Sequence, residues 1–455
     1  MAKSLLVLCL SLLAVHGLFV RKGDPRIQSA THDWSRIQPE LEALKAMPDT
    51  VNVNGFAGYS GLSQINTAGD QMFYWFVNKV GGNVFTDNVP VIMWLQGGPG
   101  CSSMTGALFE FGPIYIDENL NMQNRTGSWI NDYHLLFVDN PVGAGYSVTP
   151  GGHYVQNETQ MAINLYALLQ NLTTTHPEIF NTAHDFYIFG ESYAGKYIPS
   201  IAYYILHQNA NLTLNKFNNI NLKGIGIGDG ISDPIPQYTS YSDYGFATGL
   251  IDEYERENVE VFQRQSVEYI NKKQWANANN AQNDALETVV MAGGNVNVYN
   301  IRQFGDYNST LMDTWLNLTS TKNMFHVPPS TTFLDCGDKA YEALANDIPQ
   351  SVVGLFPYLL NNTRVLLYEG QDDLILNMVG AETWISQMQW YGQLNYLQAE
   401  KEVWVVQGQI AGYARGYESL TQLVVLKAGH MVPLDQLTNS LDMVNRFINN
   451  QPWGN

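Results

Sequence analysis

Charge is scarce in this chain, and basic charge scarcest. Only 14% of the 455 residues are Asp, Glu, Lys or Arg, and 23 basic residues face 42 acidic ones, for a formal charge of -19. Basic patches are missing as well, so phosphate backbones and acidic lipid surfaces are excluded as partners: no nucleic acid and no membrane surface is expected. The chain has no CxxC pair, no HExxH and no P-loop glycine-lysine pattern. Spacing therefore suggests no metal, no nucleotide and no other cofactor. Beyond the first residues no apolar run approaches the roughly 20 residues that a spanning helix requires. Cysteine is nearly absent, with three in all.

What is present is a large apolar fraction, 45%, enough for a sizeable core in one elaborated domain or two. Residues 1–17 carry Lys3, the apolar run Leu5 to Val15 and a small residue, Gly17, at the end. That is the layout of a secretory signal peptide, and the run is too short to span a bilayer. A secretory-route protein, secreted or lysosomal, is expected. Cys9 would leave with the leader, and Cys101 and Cys336 then allow one bridge or two unpaired thiols. A bridge would stabilise by about 5 kcal/mol at most on chain entropy. Acceptor sequons stand at Asn124, Asn157, Asn171, Asn211, Asn308, Asn317 and Asn361, and in a secreted chain they predict surface positions.

The chain divides by composition. Residues 18–50 are mixed and polar, an arm or pro-segment with one helical candidate at Pro39–Met47. Residues 51–233 alternate aromatic and β-branched runs with helical spacing. Strands are predicted at Gln71–Asn78, Pro90–Gln96, Leu135–Asp139, Asp185–Phe189 and Lys223–Gly228, and a helix at Asn157–Leu172. Alternation of this kind indicates an α/β architecture with a mostly parallel sheet flanked by helices. Residues 234–345 are Asn- and Gln-rich, give no convincing strand, and predict helices at Asp252–Glu268 and Asp284–Ala292, a cap inserted over the sheet. Strands return in 346–455 at Arg364–Glu369 and Thr421–Lys427, followed by a helix at Leu437–Ile448.

One stretch organises the rest. Asp185 to Gln208 reads as a buried strand, a tight turn with Ser192 at its tip, and a helix, with Gly190 and Ala194 keeping the turn small. That is the form of a nucleophile elbow. The strand at Pro90–Gln96 runs into Gly97-Gly98-Pro99-Gly100-Cys101, whose exposed amides suit half of an oxyanion hole. Gly98 and Tyr193, the residue after the serine, would supply the two N–H groups. A base and an acid must then follow the serine in the order acid, histidine. Of the three later histidines, His207 lies on the elbow's own helix and His326 in the insertion, whereas His430 follows a strand. The acid should end a strand too, and Glu369-Gly370-Gln371-Asp372-Asp373 does; spacing leaves Asp372 and Asp373 both open. Glu191 beside the serine and Glu110 are unusual, because an ionised acid there would repel a developing oxyanion; a shared proton would remove the conflict.

Four segments, Trp94-LQGGPGCSS-Met104, Gly190-ESYAGKYIP-Ser200, Tyr368-EGQDDLILN-Met378 and Lys427-AGHMVPLDQ-Leu437, resemble the serine carboxypeptidases, an α/β-hydrolase family, from about Val53 onward. The resemblance implies a triad of Ser192, Asp373 and His430, an oxyanion hole at Gly98 and Tyr193, and removal of C-terminal residues from peptides or proteins at acidic pH. It implies that Glu191, Glu110 and a side-chain amide bind the substrate's free carboxylate, and that Cys101 pairs with Cys336. The family's amide is asparagine and here is Gln96, which resembles the vitellogenic-type branch. An acyltransferase or esterase on the same fold, and a secreted storage or partner-binding protein with an idle triad, are the alternatives.

Overall fold

Runs rich in β-branched and aromatic side chains become strands, and they collect into one sheet. The computed structural model describes residues 49–181, 184–212, 217–305 and 307–454. The expected leader and the arm to residue 48, with Pro39–Met47, lie outside these. The strands are β1 (Thr50–Val53), β2 (Phe56–Gln64), β3 (Gln71–Val77), β4 (Val91–Leu95), β5 (Ile114–Ile116), β6 (Met122–Asn124) and β7 (His134–Val138). There follow β8 (Phe186–Glu191), β9 (Leu222–Gly228), β10 (Arg364–Gly370), β11 (Glu402–Val406), β12 (Gln409–Tyr417) and β13 (Leu420–Val425). β5 and β6 form a separate ribbon, and the other eleven lie in the order β1-β2-β3-β7-β4-β8-β9-β10-β13-β12-β11. The six from β7 to β13 are mutually parallel, while β1–β3 at one edge and β11–β12 at the other run antiparallel.

Burial on both faces explains why the central strands are uninterruptedly apolar. Along β4, Val91, Met93 and Leu95 point into one core and Ile92 and Trp94 into the other. Along β8, Phe186 and Ile188 alternate with Tyr187 and Phe189 in the same way. The first core is closed by the helices Glu158–Thr175 and Ala194–Asn209, the second by the helix Leu437–Ile448.

Two outcomes differ from the sequence-based expectation. The hairpin β11–β12 was not foreseen, although Gln407 and Gly408 both take positive φ, 49° and 77°, between alternating strands, a two-residue turn with the right twist. The helix expected from Asp284 begins at Trp275 and runs to Ala292. Its asparagines are poor helix formers, but Ala278, Ala281, Ala285 and Val289 form a buried stripe on one face, and that burial overrides propensity.

Between β9 and β10 the described residues carry helices and no sheet strand. Their apolar core includes Leu374, a residue of the loop after β10. That loop is also held by Tyr244, whose hydroxyl donates to the Gln371 carbonyl at 2.9 Å, and by Tyr241, which donates to that of Ile375 at 3.1 Å. The helical region is thus a fixed wall over the sheet's carboxyl edge. It is bonded to the glycine-rich loop by a disulfide between Cys101 and Cys336. Among the described residues no helix is long and apolar enough to cross a membrane.

Candidate active site

The glycine-rich loop, the Ser192 turn, the Asp372–Asp373 loop and the His430 loop leave the sheet at one edge, the carboxyl ends of β4, β8, β10 and β13, where parallel sheets present their loops. Ser192 follows β8 directly with φ 64°, a left-handed backbone that a side chain adopts only at a cost of about 1–2 kcal/mol. The turn is locked from behind: the Ser192 N–H donates to Gly228 at 3.0 Å, and its carbonyl accepts from Gly195 at 2.9 Å and Ile231 at 3.1 Å. Small residues are a geometric need here. A Cβ on Gly190 would stand 2.1 Å from the Leu95 carbonyl oxygen, and one on Gly195 would stand 2.6 Å from the Ile231 nitrogen.

The glycine-rich loop is pressed against this elbow. A Cβ on Gly97 would lie 2.5 Å from the Ser192 Cβ and 2.6 Å from the Tyr193 amide. Gly98, next in the chain, has φ 108°, open to glycine alone at low cost. Tyr193 opens the helix Ala194–Asn209, where a first-turn amide has no intrahelical acceptor. The Tyr193 side chain is tied down by Asp347, which accepts its hydroxyl at 2.7 Å and pairs with the buried Lys196 ammonium. Asp139, after β7, fixes the other end of the loop by accepting from the Ser102 hydroxyl at 2.5 Å and the Ser103 amide at 3.1 Å.

Asp373 and His430 meet: the aspartate Oδ2 lies 2.9 Å from the imidazole Nδ1, with both groups buried. Asp373 Oδ1 also accepts from the Ile375 amide at 3.0 Å. Its neighbour Asp372 turns the other way, toward Arg302 at 3.9 Å, so of the adjacent pair it is Asp373 that meets the histidine. His430 donates its backbone N–H to Tyr299 at 2.6 Å, and the Tyr299 ring stands 5.1 Å from the imidazole. His430 Nε2 is buried and has no hydrogen-bond partner among the described residues, Ser192 included.

On the other side of the serine, Trp94 Nε1 donates to Gln96 Oε1 at 2.8 Å, and Gln96 Nε2 donates to Glu191 at 2.7 Å. Glu110 is near enough to interact with Gln96 and Glu191, though neither of its oxygens meets hydrogen-bond geometry among the described residues. Burial pushes Glu110 up to about 8, against the pull of Gln96, Glu191 and Arg125. Burial, followed by the Glu110 carboxyl, holds Glu191 well above the ordinary range. Two buried acids side by side do not both ionise, so the pair carries protons at acidic pH.

Two groups bring candidate metal-ligand atoms within 4.8 Å: Asp87, His134 and His184, and Asp229, Asp373 and His430. In the first, both His184 nitrogens face backbone carbonyls, at 2.7 and 2.9 Å, and the His134 nitrogens are taken by the Lys79 amide and Asp87. All four ring nitrogens are thus already engaged within the protein. The second contains the Asp373–His430 contact and one residue that sequence reasoning missed, Asp229; its placement just after a strand at the carboxyl edge was the available signal. Of the sequons, Asn124, Asn308 and Asn361 are exposed and Asn157 and Asn211 half-buried. Asn171 and Asn317 spend their amide nitrogens on the backbone carbonyls of Gln64 and of Asp313 and Phe333.

A strand–turn–helix serine, a glycine-rich loop pressed against it and an acid–histidine contact on one parallel edge define an α/β-hydrolase. The chain belongs to the serine carboxypeptidase family, whose model matches residues 47–450. It is 38% identical over 427 residues to "Probable serine carboxypeptidase CPVL" of Dictyostelium discoideum, covering 91% of this chain and 82% of that one. It is 34% identical over 446 residues to the human protein of the same description, covering 95% and 91%. Among solved structures it resembles a prohormone-processing carboxypeptidase, Kex1, from Saccharomyces cerevisiae, with a TM-score of 0.76 at 25% identity over 87% of this chain and 92% of that one. The hydrolase is therefore a serine-type exopeptidase by family, and the Cys101–Cys336 pairing that the resemblance implied is present in the structure.

Proposed function

We propose that Ser192, His430 and Asp373 form the catalytic triad and that Glu191, Glu110 and Gln96 read the free carboxylate at a peptide's C-terminus. The observation that carries this reading is the pair of buried acids beside the serine, Glu191 next to it in the chain and bonded by Gln96, with Glu110 close by and both held above the ordinary range by burial. Protonated, such acids donate hydrogen bonds to a carboxylate; ionised, they would repel it. In the reaction Ser192 Oγ gives its proton to His430 Nε2 and bonds to the last peptide carbonyl carbon. The oxyanion accepts from the Gly98 and Tyr193 amides, and Asp373 holds the imidazole tautomer and stabilises the imidazolium. Collapse breaks the C–N bond as His430 returns the proton to the leaving amine, and water then frees the acyl group by the same path.

The substrate class is peptides and proteins with free C-termini, met on the secretory route that residues 1–17 and the disulfide suggest. Replacing Ser192 with alanine should abolish release of the last residue from a blocked dipeptide and abolish labelling by a fluorophosphonate probe. Retained turnover would sink the assignment. Amidating the C-terminus should slow the native enzyme far more than it slows an esterase or acyltransferase reaction on the same fold. As pH rises toward the range near 8 where Glu110 loses its proton, kcat/KM for free-carboxylate substrates should fall. A flat profile into alkaline pH would remove the carboxylate-reading role.

A further inference from the structure

Asp229 has no part in the scheme above, yet it stands inside it. It follows β9, between β8 and β10, at the carboxyl edge. Its side chain is fully buried and its backbone left-handed, with φ 42°. Its N–H donates to the Tyr368 carbonyl at 2.8 Å, and its Oδ1 accepts from the Gly370 amide at 2.8 Å. Oδ2 is buried without a partner among the described residues. One oxygen of Asp229, one of Asp373 and one ring nitrogen of His430 lie within 4.8 Å of one another.

We propose that Asp229 is a positioning residue for the Asp373–His430 pair and works as an uncharged carboxylic acid. One oxygen holds the amide of Gly370 at the root of the acid loop, and the other turns its O–H toward Asp373. The proposal rests on the triad reading given above. The groups that face Asp229 are Asp373 and Glu369 from β10 and its loop, Glu191 from β8, Tyr368 and Tyr244, and His430. No lysine or arginine is among them. A second carboxylate here would face the first in a buried site with a single imidazole to balance both, which favours the neutral acid. Burial, then Asp373 and Glu369, push Asp229 well above the ordinary aspartate range, in agreement. A neutral donor orients the Asp373 carboxylate without adding charge, so the imidazolium formed during acylation has one counter-ion in one geometry.

The test uses the full chain, with kcat counted per serine titrated by fluorophosphonate. Asp229→Ala should lower kcat about tenfold or more while KM stays within about twofold, the mark of an interaction needed after binding. Asp229→Asn keeps an acceptor, supplies an N–H donor and tolerates the left-handed backbone. It should restore kcat to within about threefold and leave the acidic limb of the kcat profile in place. Wild-type turnover per labelled serine in Asp229→Ala would reduce Asp229 to a bystander. An acidic limb displaced by about half a pH unit or more in Asp229→Asn would mean an ionised Asp229 and overturn the proposal, even if the alanine variant does not fold. A native enzyme that fails to take the probe would refute the triad itself, and that outcome is visible before any Asp229 variant is made.

Discussion

At the scale of single residues, Gln96 is the joint between packing and the proposed recognition of a carboxylate. Its carbonyl is occupied by the Trp94 indole and its amide by Glu191, so neither end can turn away. Ser103 holds the Gln96 backbone N–H at 3.1 Å and is itself anchored on the Val138 carbonyl at 2.6 Å. Gln96→Ala would leave Glu191 without its donor and the indole without an acceptor. Losing a buried hydrogen bond of this kind is worth about 1–3 kcal/mol, so KM for a free-carboxylate dipeptide should rise about tenfold or more. An amidated substrate should be handled as before. Steady-state kinetics on the two substrates side by side checks this, and an equal loss on both would mean that Gln96 supports the loop rather than the carboxylate.

At the scale of elements, the proposed catalysis depends on the contact of two turns that belong to different strands. The turn after β4 and the turn after β8 touch at Gly97, with no room for a methyl between them. Gly97→Ala should therefore displace the Tyr193 amide or the serine itself. The expected outcome is a folded, disulfide-bonded protein whose fluorophosphonate labelling slows about a hundredfold, the scale of one lost oxyanion donor. Labelling at the native rate would show that the elbow can yield. The other element with leverage is the helical region between β9 and β10. Its tyrosines hold the Asp373 loop and its Tyr299 segment holds His430, so the proposed acid and base are both positioned from outside the sheet.

At the scale of the whole molecule, the buried acids set a direction for stability. Glu110 and Glu158 are pushed up to about 8 and Asp139 to about 7, in each case chiefly by burial, so each binds a proton in the native chain that it would release when unfolded near neutrality. His176, raised by Asp49 and Glu178 against the cost of burial, acts in the same sense. A state that binds more protons is stabilised where protons are plentiful, so the contribution of these groups is fully present below their unfolded values and falls as pH rises toward 7–8, while Asp49 and Asp87, held below the ordinary range, act in the opposite sense only at lower pH. Melting temperature should drop on the order of 5 °C or more between about pH 5 and pH 8. A melting temperature that climbs over that interval would refute the protonated state of these acids. Seen at this scale, the sequence by itself determined the parallel strands, the elbow, the order of serine, acid and histidine, and the residues worth testing, because apolar periodicity, turn chemistry and chain order are local or one-dimensional. Only the tertiary structure decided that Asp373 and not Asp372 meets His430, that Asp229 stands beside them, and that the β11–β12 hairpin closes the sheet's edge. Those outcomes depend on which loops the sheet order and the helical wall bring within a few ångströms, and distance across a fold is not written in spacing along the chain.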